Sequence, residues 1–343
     1  MQKIGSIFFM VMISVYVQAQ NNSSSADQQI VSDSIKNAAI EQAALMYPRI
    51  RQFSITHEEN GSGRITSKLN GSDMFEGNFR SSRTKINFNM PVLKHENSSL
   101  VASLGVIHQF YELTDVKSAD PQNPVYNDNR YIPMFSTGLT YIRTQNLFGK
   151  PFTFIASGLG IFNPAMDRSQ FTFTGMATVP LIQRQNTRLT AGAVILLDPA
   201  SPVPAFLIVN YFHKFKEWNM DLMLDLPYRM AVRKELTPKT SISFSNELGG
   251  SNSFFDFNNT IPSLSEHKLT LSSLEIKSGL MAEYRLTNKA VISLSTGVNY
   301  MVNSKIREAN SKPKDHFLEN KHKPVPYVQV GFSLLPFWKG LNL

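Results

Sequence analysis

Cysteine is absent from all 343 residues. That excludes a disulfide framework, a thiolate metal site and a cysteine nucleophile. Small exported domains often lean on disulfides, but a chain of this length can bury enough surface without them. Long hydrophobic runs are also missing. Beyond the N-terminus nothing approaches the ~18 consecutive apolar residues of a transmembrane helix. The longest runs, Gly192–Leu197 and Ala205–Val209, are strand-sized. Charged residues make up only 17% of the chain and tryptophan occurs twice. The seven histidines include no HExxH motif and no close pair on one strand, so no metal or cofactor is expected.

What the chain does have begins with an address. Met1-Gln2-Lys3 is a short basic start, Ile4–Val17 is apolar, and Val17-Gln18-Ala19 has the small-residue pattern of a signal peptidase site. Residues 1–19 therefore read as a secretory signal peptide cleaved after Ala19. No cysteine follows the site, so lipoprotein anchoring is not expected. Losing Lys3 lowers the formal charge from +8 to +7. An exported chain rarely meets nucleic acid, so no nucleic-acid partner is expected. The modest positive charge favours lipid phosphates weakly.

Residues 20–48 form a second unit. Ser25 and Gln28 fit a capping box, and Ile30, Val31, Ile35, Ala38, Ala39, Ala43 and Met46 recur at helical spacing before Pro48 ends the pattern. The spacing predicts a short helix over Ser25–Met46, either a plug in a lumen or a helix at the periplasmic rim.

From residue 49 to 343 the period changes to two. In Ser272–Leu286 one parity reads Leu274, Ile276, Leu280, Ala282, Tyr284, and the other reads Glu275, Lys277, Glu283, Arg285. Successive side chains on a strand point to opposite faces, so the segment has one apolar and one polar face. Ala290–Lys305, Arg83–Leu93, Gln170–Ile182, Trp218–Asp225 and Val325–Pro336 repeat the pattern, while Phe152–Asn163 and Val203–Phe215 alternate poorly. Alternate connections are short, such as Lys94–Ser99 and Thr287–Lys289. The intervening ones are often longer and more polar, such as Asn60–Ser82 and Ile306–Pro324. Many alternating strands, short turns at one end and longer loops at the other describe an all-β fold. It is expected to be a transmembrane antiparallel up-and-down β-barrel with lipid outside and a polar interior. The count is about fourteen strands, or twelve if the pair flanking Leu226-Pro227 is one bent strand. Tyr111, Tyr131, Tyr141, Phe212, Trp218, Tyr300, Tyr327, Phe337 and Trp338 lie near strand ends and suit interfacial aromatic girdles.

The lumen-facing candidates are Asp221, Asp225, Glu275, Lys277, Glu283 and Arg285. Such charges could line a small pore, coordinate an ion, or fill a narrow interior as a salt-bridged network. The network is the expected role. Catalysis is not expected: His108 and Glu112 share a face without a serine at triad spacing, and Asp315-His316 lacks an accompanying Asp-Asp pair.

Signal peptide, capped helix, the run Met46-Tyr47-Pro48-Arg49-Ile50-Arg51-Gln52-Phe53 and alternating strands closing in Tyr327–Phe337 together resemble the uncharacterised outer-membrane β-barrel families of Gram-negative bacteria. The resemblance covers nearly all of the mature chain and carries no site residues. It implies location in the cell outer membrane, with outer-membrane lipids and the barrel assembly machinery as partners. The expected function is an integral barrel that passes or binds a small-molecule solute. A non-conducting structural or adhesive barrel is the alternative, and a barrel lipid hydrolase using His108 or His316 the third reading.

Overall fold

The computed structural model describes residues 40–121, 124–198, 201, 203–255, 269–308, 311, 315–338 and 341–342. The expected signal peptide, and Ser25–Ala39 of the expected helix, lie outside these residues. Residues 40–46 are helical, and Pro48–Ile50 adds one 3-10 turn.

Among the described residues, everything after that turn is strand or connection, with one further 3-10 turn at Lys216–Trp218. The chain runs through β1 (Phe53–Leu69), β2 (Ser72–His95), β3 (Ser98–Ser118), β4 (Asp128–Leu147), β5 (Lys150–Phe162), β6 (Ser169–Gln183), β7 (Thr187–Leu197) and β8 (Ala205–Phe215). It continues through β9 (Met220–Leu226), β10 (Arg229–Thr237), β11 (Thr240–Phe255), β12 (Leu269–Arg285), β13 (Ala290–Glu308), β14 (His316–His322), β15 (Val325–Leu334) and β16 (Leu341–Asn342). From β1 to β13 each strand pairs antiparallel with the next. The sheet closes because β1 pairs with β2 on one side and with β14 and β15 on the other. β14 and β15 both lie between β13 and β1, at different heights, so they are two halves of one stave. The wall is a closed antiparallel barrel of fourteen staves. Closure leaves no sheet edge, which is what a strand structure needs inside lipid. The short β16 runs parallel to the inner end of β2, beside Leu93 and Lys94.

The two faces differ as the alternation requires. Phe171, Phe173, Ile195, Leu207, Leu280, Leu294 and Val330 are exposed on the outer face, with Leu207 at 79%. The opposite parity of the same strands buries Thr172, Thr174, Glu275 and Glu283. Tyr131, Tyr141, Tyr300, Trp218, Phe337 and Trp338 are exposed, whereas Tyr111, Phe212 and Tyr327 turn inward and are not girdle residues. The apolar outer face gives way to charge on β1–β3. There Arg80 meets Glu59 at 3.3 Å and Glu112 at 4.0 Å, and beyond them Arg64 meets Glu76 at 2.5 Å. Charges on a lipid face are costly, so this band marks the outer limit of the membrane and the strands above it stand in water.

Two expected loops are largely strand. Asn60–Ser82 extends β1 and β2 to a two-residue turn at Asn70-Gly71, whose φ values of 49° and 90° and Leu69–Ser72 pairing define a type I′ hairpin. Ile306–Pro324 contains β14 and the outer end of β13. The residues flanking Leu226-Pro227 are two strands rather than one bent strand, since Arg229–Lys234 pairs back onto Met220–Asp225.

Candidate functional site

The interior is stacked in layers from the inner end, where the short turns and both described chain ends lie, to the outer end. At the inner end the N-terminal segment sits inside the wall. Tyr47 is buried against Phe212, Met223 and Ala231 of β8, β9 and β10, while Ala44 packs with Val291 and Leu335. Arg51 holds this segment by donating to the Glu283 carboxylate at 2.6 Å, to Ser333 Oγ at 2.9 Å and to the Ala44 carbonyl at 3.0 Å. The Arg229 guanidinium lies 4.8 Å from the Tyr47 ring centre. Gln52 accepts hydrogen bonds from the backbone N–H groups of Phe337 and Trp338 through Oε1 and so ties down the C-terminal stretch.

Above this plug lies an ionic layer. Arg83 on β2 donates to Glu275 on β12 at 2.9 Å, four staves away. Lys277 reaches Glu58 on β1 and lies 3.6 Å from Glu275. Asn299 donates to Glu275 at 3.2 Å and to Asn60 at 2.9 Å. Charges taken from water are tolerable only when paired and hydrogen-bonded, and these are. A facing pair of glycines makes room. A Cβ on Gly279 would meet Tyr327 Oη at 2.7 Å, and one on Gly297 would meet the Ser278 carbonyl oxygen at 2.1 Å.

All six lumen-facing candidates lie on the inner parity, but they are not one cluster. Glu275 and Lys277 belong to the ionic layer, and Glu283 belongs to the plug. Asp221 meets Arg233 at 3.4 Å. Asp225 accepts from Asn210 at 2.9 Å and has an ion contact of 3.7 Å with Arg229. Arg285 is half-buried at the inner end of β12. Sequence reasoning missed Arg51, Glu58 and Arg83, which complete the pairs. Only their place on polar parities next to β12's charges could have marked them. Among the described residues no three His, Asp or Glu side chains converge as a metal site.

Next comes a bridge. Tyr111 Oη on β3 hydrogen-bonds Ser253 Oγ on β11 at 3.0 Å, and Ser253 Oγ donates to Gln109 Oε1 at 2.6 Å. Beyond residue 248 β11 has no partner on β10, and Ser251, Asn252, Ser253 and Phe254 are buried on both faces. The outer part of β11 thus leans across the lumen. It joins one apolar cluster with Met74, Ile132, Met134, Leu269, Ile306 and Leu318, drawn from opposite walls.

Between these walls a cavity of about 810 Å³, its open mouth included, is lined by Ile65, Phe79, Leu271, Ile306, Leu318 and His322 among others. Glu112, Asp128 and Arg130 stand on its rim, with Arg130 Nε donating to Asp128 at 2.6 Å. His322 pairs with Ile65 and so lies above the charged band that limits the membrane. Burial pushes its imidazole down to about 4. His108 is on the outer face, 5.6 Å from the Tyr131 ring, and His316 lies 3.9 Å from Glu319.

A family described as Domain of unknown function (DUF6268) matches residues 53–334, from the first residue of β1 to the last of β15. The chain belongs to this family. Among solved structures, the DUF6268 barrel is similar to the COG4313 outer membrane channel from Pseudomonas putida F1. The identity is 7%, 83% of this chain and 96% of that one are covered, and the TM-score is 0.37. It is also similar to the toluene transporter TodX of P. putida (8% identity, 88% and 95% covered, TM-score 0.33). A third similarity is to the translocator domain of the autotransporter NalP from Neisseria meningitidis (10% identity, 90% and 98% covered, TM-score 0.28). No curated protein matches the chain.

Proposed function

We propose that this DUF6268 chain is an integral outer-membrane barrel that takes a small, predominantly apolar molecule into its outer cavity, and is not an open diffusion pore. The observation that carries this is the apolar cavity lying directly over a layer where opposite walls touch through Tyr111 and Ser253. A concave site with predominantly apolar walls and a small number of placed polar groups is the usual form of a small-molecule site. The ionic layer and the plug beneath it favour capture at the mouth over free flow. Lipids of the outer membrane would contact the apolar face, and the barrel assembly machinery would insert it. No catalytic role is proposed.

The test uses the full-length protein in lipid nanodiscs. Naphthalene should bind above the level of empty nanodiscs, and Leu271→Trp, which fills the cavity, should abolish that binding while the heat-modifiable gel mobility of a folded barrel persists. A barrel serving only as structure would leave naphthalene unbound.

A further inference from the structure

Of the polar side chains in the wall of the outer cavity, Asn320 donates to Ser304 at 3.3 Å and Tyr111 is bonded to Ser253, whereas His322 differs. His322 Nε2 is buried and has no hydrogen-bond partner, and its ring stands edge-on to Phe79 with centroids 5.1 Å apart. A buried polar atom without a partner carries a desolvation penalty that a ligand group can relieve. We propose that the cavity recognises a neutral amphiphile, an apolar body bearing one hydroxyl group, and that His322 hydrogen-bonds that hydroxyl.

The class follows from the charges around the cavity. Its lining acidic and basic groups besides His322 are Glu112, Asp128 and Arg130. Arg130 is held by Asp128, and Arg80, which neighbours Glu112, lies on the outer face. Glu112 stands opposite Arg80 on that same face, so the cavity itself holds one internal ion pair, and its cation, already engaged, offers an anionic head group no compensating charge. A neutral imidazole offers a carboxylate no compensating charge, whereas a hydroxyl can donate or accept and therefore suits either ring tautomer. The inference rests on the cavity reading above and adds the chemistry of what enters.

The test compares three probes of one shape, naphthalene, 1-naphthol and 1-naphthoate, by calorimetry on the full-length barrel in nanodiscs, with empty nanodiscs subtracted. One added hydrogen bond in a dry pocket should make 1-naphthol bind about tenfold tighter than naphthalene, with 1-naphthoate weakest. His322→Leu should reduce 1-naphthol to the affinity of naphthalene and leave naphthalene unchanged, which also shows the variant folded. His322→Gln, which restores a hydrogen-bonding group, should recover part of the preference. Naphthalene binding with no preference for 1-naphthol, a preference that survives in His322→Leu, or tightest binding of 1-naphthoate overturns this inference alone. Binding of none of the three overturns the cavity reading with it.

Discussion

Tyr111 on β3 and Ser253 on β11 share a 3.0 Å hydrogen bond from staves six apart in one direction around the wall and eight in the other. Opposite walls of a fourteen-stave barrel therefore touch. With the ionic layer and the plug below, the lumen has three successive closures. In planar bilayers we expect the wild-type protein to show no steady conductance. Tyr111→Ala alone should not open it, because Ser253 still binds Gln109 and the ionic layer is intact. A steady ohmic current through the wild type would contradict this.

Arg51 secures the inner closure. Arg51→Ala would leave the Glu283 carboxylate buried without its guanidinium, a loss of about 3–5 kcal/mol for a broken buried pair. The urea midpoint of the barrel in vesicles should fall, and protease should cut residues 40–52 in otherwise folded protein. Arg80→Ala breaks only exposed contacts to Glu59 and Glu112 and should cost less than about 1 kcal/mol. Equal losses for the two variants would count against the buried network.

The outer face should refuse charge. Phe173 on β6 is more than half exposed, while its neighbour Thr172 is fully buried inside. Phe173→Arg should destabilise the barrel by about 2–4 kcal/mol if it sits near the bilayer midplane, as lipid-facing arginines do in such barrels. Unfolding titrations from vesicles check this, and an unchanged midpoint would place Phe173 outside lipid.

His322 gives a pH dependence with a definite sign. Its pKa falls from an ordinary 6.5 to about 4 through burial. The unfolded chain then binds the proton more readily between these values, so the contribution is fully present above pH 6.5 and is lost as pH falls toward 4. The difference in stability between wild type and His322→Leu should shrink, or move in favour of the variant, over that window. A pH-independent difference would rule out the burial.

The stave pattern was legible because lipid and lumen impose opposite demands on alternate residues, as Leu274, Ile276 and Leu280 against Glu275 and Lys277 show. It blurred where that contrast disappears. β5 and β8 alternate poorly because their inner parity is itself apolar at this height, with Ile155, Ile161, Phe206 and Ile208 facing the lumen. Asn60–Ser82 read as a loop because β1 and β2 stand in water there, so both faces carry polar residues. The Asn70-Gly71 dipeptide was the available hairpin signal. The charged residues of β12 were readable as inward, but their partners were not. Arg51, Glu58 and Arg83 come from distant parts of the chain, and only closure of the sheet brings them together. His322 belongs to a stretch that reads as a solvated basic loop, and its burial depends on β14 completing the last stave.

Alternating labels on β12 test the central claim most directly, and a chain without cysteine is a clean background for them. Single cysteines at 274, 276, 278 and 280 and at 273, 281 and 285 would each carry a fluorophore in the vesicle-inserted protein, with quenching by bromolipid measured at each site. The even positions should be strongly quenched and the odd positions weakly, in strict alternation. Equal quenching at both parities, or none at either, would contradict a closed sheet whose apolar face is covered by hydrocarbon.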